Sequence, residues 1–210
     1  MRRTALTLLL LTGALAAPQA GARAEDAGAP APTQDPTQVR PGRYVLDPDH
    51  AKITWSLSHL GFSTYYGQFS GVTGEATLDP REPARSRLSV AIPTGSVGTN
   101  NDVLDRNLRA PEFLDAQRFP KATYVSTSVE PTSPTTARVN GELTIKGVTR
   151  TVSFDATFNQ AGVNPIDHRY SVGFDGRAVI RRSDFGVSAY LPALGDEVAL
   201  RLEGEFKAAE

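Results

Sequence analysis

From Tyr44 to the end of the chain, apolar residues recur at every second position, the period of a strand with one buried face. Ile53, Trp55 and Leu57 share one side while Lys52, Thr54 and Ser56 share the other. Leu88, Val90 and Ile92 alternate in the same way, as do Val139, Leu143 and Ile145 against Arg138, Asn140, Glu142 and Thr144. Val152, Phe154, Ala156 and Phe158 form another set, and Tyr170, Val172, Phe174, Ala178 and Ile180 a longer one. Val198, Leu200, Leu202 and Phe206 close the series, with Glu197, Arg201, Glu203 and Glu205 opposite. The stretch from Gly67 to Leu78 is also extended, but its apolar face switches between Phe69 and Val72. Gly71 and Gly74 there predict a bend or bulge.

The connections agree with this pattern. Lys146-Gly147 sits between two clean strands and suits a tight hairpin, Pro131 to Pro134 is a turn cluster, and Asp79-Pro80 and Asn164-Pro165 stop strands. One region departs from period two. Asn100-Asn101-Asp102 offers an N-cap, followed by Val103, Leu104 and Leu108 at helical spacing, with Asp105 and Arg109 placed to pair. Pro111 ends this helix, and a second short turn follows it. The fold class expected is all-β: an antiparallel barrel of about eight strands, with a helical excursion near 100–116 capping one mouth.

The N-terminus carries a different signal. Arg2 and Arg3 precede an apolar run from Ala5 to Ala17, and Ala22-Arg23-Ala24 reads as a cleavage site. Residues 1–24 are therefore expected to be a signal peptide that sends the protein to the periplasm or out of the cell. The general secretory route is favoured over the twin-arginine route. Residues 25–42, rich in Ala, Pro, Gly, Asp and Gln, read as a linker, and residues 43–208 as the folded domain. Cleavage takes Arg2, Arg3 and Arg23 and no acid from the 22 basic and 23 acidic residues, leaving a net charge of −4. That balance argues against nucleic acid as a partner. No further apolar run is long enough for a transmembrane helix. The absence of cysteine excludes disulfides, thiolate metal sites, a cysteine nucleophile and a lipid-anchored N-terminus.

Candidate chemistry is sparse. His50 and His59, with Asp47 or Asp49, could supply zinc ligands, but nine residues on one strand put the two imidazoles on opposite faces, so no metal site is expected. Gly95-Ser96-Val97-Gly98 lacks the spacing of a nucleophile elbow, and no phosphate-binding glycine loop precedes a helix. The most distinctive polar group is Arg181-Arg182-Ser183-Asp184. Arg182 there either hydrogen-bonds a ligand head group or pairs with Asp184 to fix the turn, and the local pairing is preferred.

An ordered set of segments then becomes specific. It runs through Tyr44-Val45-Leu46-Asp47-Pro48-Asp49-His50, Ile53-Thr54-Trp55, His59-Leu60-Gly61-Phe62-Ser63 and Gly67-Gln68-Phe69. It continues with Asn101 to Leu108, Pro111-Glu112-Phe113-Leu114-Asp115, Phe119-Pro120 and Leu143 to Thr149. Arg182-Ser183-Asp184-Phe185-Gly186 and Gly195-Asp196-Glu197-Val198 complete it. In this order they resemble the YceI-like family of periplasmic polyisoprenoid-binding proteins, over essentially the whole domain. The resemblance implies an extended, lipocalin-like barrel whose apolar lumen holds a polyprenyl phosphate or an isoprenoid quinone, without chemistry and without another cofactor. Under that reading the candidate lumen residues are Trp55, Phe69, Phe154, Phe158, Phe174 and Ile180, and the candidate head-group contacts are Arg182 and His59. Two rival classes stay open: an enzyme acting on a lipid-linked substrate with His50 or His59 as base, and a ligand-free, stress-protective barrel with a filled interior. A homodimer is equally open. The leader makes one outcome checkable at once: N-terminal sequencing of exported protein should begin at Glu25, and retention of Met1 would contradict it.

Overall fold

Each run of alternating residues becomes a strand in the computed structural model, which describes residues 31–209. The expected signal peptide and the first part of the linker lie outside the described residues. The strands are β1 (Gly42–Leu46), β2 (Lys52–His59), β3 (Ser63–Phe69), β4 (Thr73–Leu78) and β5 (Arg87–Pro93). After helix α1 (Asp102–Arg109) come β6 (Lys121–Pro131), β7 (Thr136–Ile145), β8 (Val148–Val163), β9 (Tyr170–Arg181) and β10 (Glu197–Ala208). All pairings are antiparallel, in the order β1-β4-β5-β6-β7-β8-β9-β10-β2-β3, and an additional β1–β10 pairing closes the ring.

The ten segments make an eight-stranded barrel. Strands β1 and β2 lie end to end along the same edge of β10, where Leu46 faces Phe206 and Lys52 faces Glu203. Together they act as one strand broken at residues 47–51. Strands β3 and β4 form a second such pair, against β2 and β1 respectively, broken at residues 70–72 where the switch of apolar face predicts a bend. The other turns follow their sequences. Lys146 and Gly147 both adopt positive φ, 52° and 77°, the conformation a two-residue hairpin needs to match strand twist. Asn101 caps α1, its side-chain oxygen accepting from the N–H groups of Val103 and Leu104 at 3.1 Å.

Two expectations need correction, and one strand escaped the pattern. Asp105 and Arg109 do not pair. Asp105 is buried and accepts from the N–H and hydroxyl of Thr99 at 2.8 and 2.6 Å, while Arg109 donates to the carbonyl of Val97. The hydrogen bonds to Thr99 satisfy a carboxylate that an exposed pair would leave in water. Strand β6 is absent from the alternation above, because buried Ser126 interrupts its apolar face and a register shift between Ser126 and Ser128 moves Val129 onto it. The described part of the linker, 31–41, is not a free tether: Val39 is buried in the core and Thr33 bridges Ala161.

The barrel has two unlike ends. At one, the α1 segment, the turn after β7 and the 182–196 segment gather, with Lys146 Nζ donating to the carbonyl of Pro111 at 2.6 Å. At the other lie the β4–β5 connection, the β6–β7 turn and residues 36–39. An ionic clamp on the outside ties strand ends beside the β8–β9 loop. Lys207 of β10 bonds Asp47 at 2.8 Å and also Asp167, and His50 Nδ1 lies 3.0 Å from Asp47. The Lys207 ammonium, helped by His50 and opposed by partial burial, holds the Asp47 carboxyl at about 2. A carboxyl depressed on folding stabilises the protein above its unfolded value and loses that contribution as pH falls through the folded one. The thermal unfolding midpoint should therefore drop as pH is lowered from about 4 to about 2. Asp47→Asn should lower the midpoint at neutral pH and flatten that part of the acid dependence, as read by circular-dichroism melts across the pH series.

Candidate functional site

Closing the sheet turns one face of every strand toward a common interior. Volume decides whether the side chains fill it. They do not: a cavity of about 370 Å³ remains inside the ring, within the range of small-molecule sites. Its wall is mostly aliphatic, with Leu88 and Val90 from β5, Val152 from β8, Ala178 from β9 and Leu200 and Leu202 from β10. These six residues point inward yet are only half-buried. They face open space where a packed core would put neighbouring side chains. Along β7 the wall runs from Thr136 to Leu143, which at a strand's rise and a barrel's tilt corresponds to a depth of roughly 18 Å.

Aromatic rings occupy particular levels of this interior. Phe158, Phe174 and Phe206 form a cluster, Phe158 tilted against Phe174 at 5.6 Å between centroids and Phe174 edge-on to Phe206 at 6.1 Å. Deeper, Tyr124 packs against Phe154 at 5.5 Å and donates its hydroxyl to the carbonyls of Val139 and Val152 at 3.1 and 3.2 Å. Burial pushes this phenol up to about 12, so it stays neutral at physiological pH. Beyond it the interior is shut by Phe185, 1% exposed, which packs with Tyr124, Val139 and Leu143. Among the charged residues at the cavity's edge, Lys52, Arg87, Asp175 and Glu203 are exposed and Asp79 is half-buried. Inside, among the described residues, no ionisable group is paired with another in an arrangement suited to proton transfer.

Of the six lumen candidates named from sequence, Phe154, Phe158 and Phe174 line this cavity. Trp55, Phe69 and Ile180 do not form its wall. Phe69 packs against the cluster containing Tyr44 and Phe206, and Ile180 against the one containing Tyr124 and Phe185. Trp55 lies with its ring over Gly67, where a Cβ would come within 2.2 Å of the indole, and its buried Nε1–H has no acceptor among the described residues. Sequence reasoning favoured aromatic residues and so passed over the aliphatic wall, although Leu88, Val90, Leu200 and Leu202 stood in the alternating sets.

The two head-group candidates lie elsewhere. His59 is half-buried beside Tyr65, ring centroids 5.9 Å apart, next to the bridge to Leu194. Arg182 is buried at the shut end, and its guanidinium turns to main-chain carbonyls and not to Asp184, the partner preferred from sequence. Nε donates to the carbonyl of Gly195, one terminal nitrogen to Val187 and Ala189, and the other to Leu194, all at 2.9–3.0 Å. Asp196, not Asp184, completes the arrangement by accepting from the N–H and hydroxyl of Ser183 at 2.9 and 2.7 Å. Five donors in a planar fork suit this work, which one ammonium could not repeat.

Similarity to known proteins agrees with this architecture. A family description, the YceI-like domain, matches residues 44–206. The chain belongs to the YceI-like family. It is 37% identical to a UPF0312 protein of Pseudomonas putida strain W619 over 152 residues, covering 71% of this chain and 79% of that one. Among solved structures, the YceI protein of Campylobacter jejuni superposes with a TM-score of 0.65 at 28% identity, over 73% of this chain and 90% of that one. BcnA of Burkholderia cenocepacia gives 0.69 at 24% identity over 76% and 98%. A polyisoprenoid binding domain from Saccharophagus degradans gives 0.59 at 15% over 81% and 100%. The last two carry information on the fold alone.

The role of Arg182 can be checked directly. Arg182→Met should leave four carbonyls of the 187–195 segment without this donor and cost about 3 kcal/mol or more of stability by urea denaturation. Arg182→Lys should recover only part of it. A neutral Arg182→Met would remove the structural role assigned to this residue.

Proposed function

We propose that the protein is an exported carrier that encloses the chain of a polyisoprenoid lipid, a polyprenyl phosphate or an isoprenoid quinone, in its barrel, and that it performs no chemistry on it. One observation carries this reading. The inward aliphatic side chains are half-exposed around a cavity that reaches one end of the barrel and is shut at the other. A filled, purely structural barrel would bury those side chains against each other, so the geometry favours a guest. The Tyr124 hydroxyl, a polar group deep in the wall, is already bonded to two carbonyls, so an apolar chain is the guest that suits it. Each methylene buried there contributes about 0.8 kcal/mol before ordering costs. The choice of chain within this proposal follows the Saccharophagus domain of the same fold, which is described as polyisoprenoid-binding. The wall is complete within one chain, so a monomer suffices. The same lack of paired titratable groups disfavours an enzyme, because His50 is engaged with Asp47 and His59 stands outside the cavity.

The test is organic extraction and mass spectrometry of gently purified protein. Wild-type protein should carry an isoprenoid lipid. Phe174→Asp should lose it, because a carboxylate among Phe158 and Phe206 loses hydration without gaining a partner. Ala178→Trp, which fills the cavity without adding charge, should lose it too. Asp175→Asn, on the exposed face, should keep it. Lipid retained by folded Phe174→Asp and Ala178→Trp proteins would place the guest elsewhere, and wild-type protein empty from several expression hosts would favour the ligand-free barrel.

A further inference from the structure

The family match begins at residue 44, yet the cavity wall includes Pro36, Thr37 and Val39. A segment ahead of the family domain therefore closes part of the site. Its path is set by what it bonds. Strand β8 outruns β7, whose first residue, Thr136, faces Thr157, so the edge of β8 beyond that level has no strand partner in the ring. Thr33 takes this edge. Its N–H donates to the carbonyl of Ala161 at 2.7 Å and its carbonyl accepts from the Ala161 N–H at 2.9 Å. From there the chain passes to β1, which in the ring is separated from β8 by β9 and β10. On the way it lays Pro36, Thr37 and Val39 against the cavity at the end opposite Phe185.

The two ends of this segment are held unequally. Val39 is 6% exposed within the core. Next to it, Arg40 stacks its guanidinium over Tyr170 at 4.2 Å, and its carbonyl accepts from the Tyr44 hydroxyl at 2.6 Å. This end is part of the barrel. The middle satisfies itself: the Asp35 carboxylate accepts from the Thr37 N–H at 2.9 Å, the Thr37 hydroxyl at 2.7 Å and the Gln38 amide at 3.1 Å. Swinging the middle outward breaks none of those bonds. What ties the far end to the barrel, among the described residues, is the Thr33–Ala161 pair, with Pro32 resting on Gly162.

We propose that residues 31–41 are a latch over the mouth of the lumen, hinged at Val39–Arg40 and released at Thr33–Ala161, and that its opening governs exchange of the apolar ligand. The inference rests on the lumen being the binding site. It adds to that reading the route and the moving part. A strap held at its far end by two backbone hydrogen bonds opens locally far more often than the barrel unfolds, which lets a carrier exchange its guest without losing its fold.

The chain has no cysteine, so a staple can be placed cleanly. Thr33 and Ala161 form a hydrogen-bonded antiparallel pair, whose Cα separation of about 5.5 Å lies in the range a disulfide spans. The double variant Thr33→Cys/Ala161→Cys, oxidised, is compared with itself after reduction, using the apolar fluorophore N-phenyl-1-naphthylamine and stopped-flow release into an excess of phosphatidylcholine vesicles. Oxidation should slow release about tenfold or more, and reduction should restore it. A second variant, Thr33→Pro, removes the N–H donated to Ala161 and should speed release about fivefold while the fluorescence of bound probe is unchanged. If the cysteines stay reduced, Thr33→Pro alone decides. Equal release rates in a protein that binds the probe would overturn the latch and leave the lumen standing. Wild-type protein that takes up no probe would overturn both.

Discussion

Closure of the sheet on β10 is the constraint from which the interior follows. One edge of β10 pairs with β9 over eleven residues, and the other carries β1 and β2 in succession. Once that seam is made, no strand can turn its apolar face to water without carrying its neighbours with it. A one-residue slip would exchange Leu200 and Leu202 for Arg201 and Glu203 and bring charges into the lumen. The register is thus fixed by the cost of charge burial, and the same register leaves a space that the inward side chains are too small to fill. The outer clamp works on this seam. Lys207 lies one residue from Phe206, and Asp47 one residue beyond Leu46, the last residue of β1 that pairs with β10. It ties the point where β1 gives way to β2.

The two ends of the barrel spend their polar groups differently. At the shut end, connections that leave regular structure must satisfy their carbonyls without water, and Arg182 supplies donors to Val187, Ala189, Leu194 and Gly195. Asp105 and Asp115, both buried, serve the same end with Thr99 and Arg118. At the open end, prolines occupy the rim at Pro36, Pro83, Pro131 and Pro134. A proline has no N–H to satisfy, so it can border an apolar opening without a partner and without offering one to a passing strand. The asymmetry gives the cavity a floor and a mouth.

Much of this was legible in the chain and some of it was not, for physical reasons. Alternation reports that a residue faces inward. It cannot report whether the inside is full, which depends on the summed volumes of side chains from all eight strands. The turn at Lys146-Gly147, the cap at Asn101 and the bend near Gly71 could be read because each depends on local backbone geometry. Strand β6 could not, because Ser126 is buried for a bond visible only in three dimensions, its hydroxyl accepting from the Leu88 N–H at 2.8 Å. The role of Arg182 was hidden in the same way, since its acceptors are main-chain carbonyls that no side-chain pattern announces. Composition made residues 31–41 look like a linker, while the edge of β8 that anchors them exists only because β8 is longer than β7.

These features bear on what the barrel can discriminate. A wall of leucine, valine and alanine offers dispersion and dehydration, and neither distinguishes one apolar chain from another of equal cross-section. The buried phenol of Tyr124 cannot add polar selectivity, because its hydrogen is already shared between two main-chain carbonyls. The charged side chains stand at the cavity's edge and are in contact with water. On the proposed reading, the interior therefore sets the bore and length of the guest, and any preference among head groups must arise at the mouth. There the charges are exposed and screened, so such a preference is weak and salt-dependent. A carrier built this way binds a class of lipids by the shape of their tails, and the strap across its mouth controls when a tail leaves more than which head it bears.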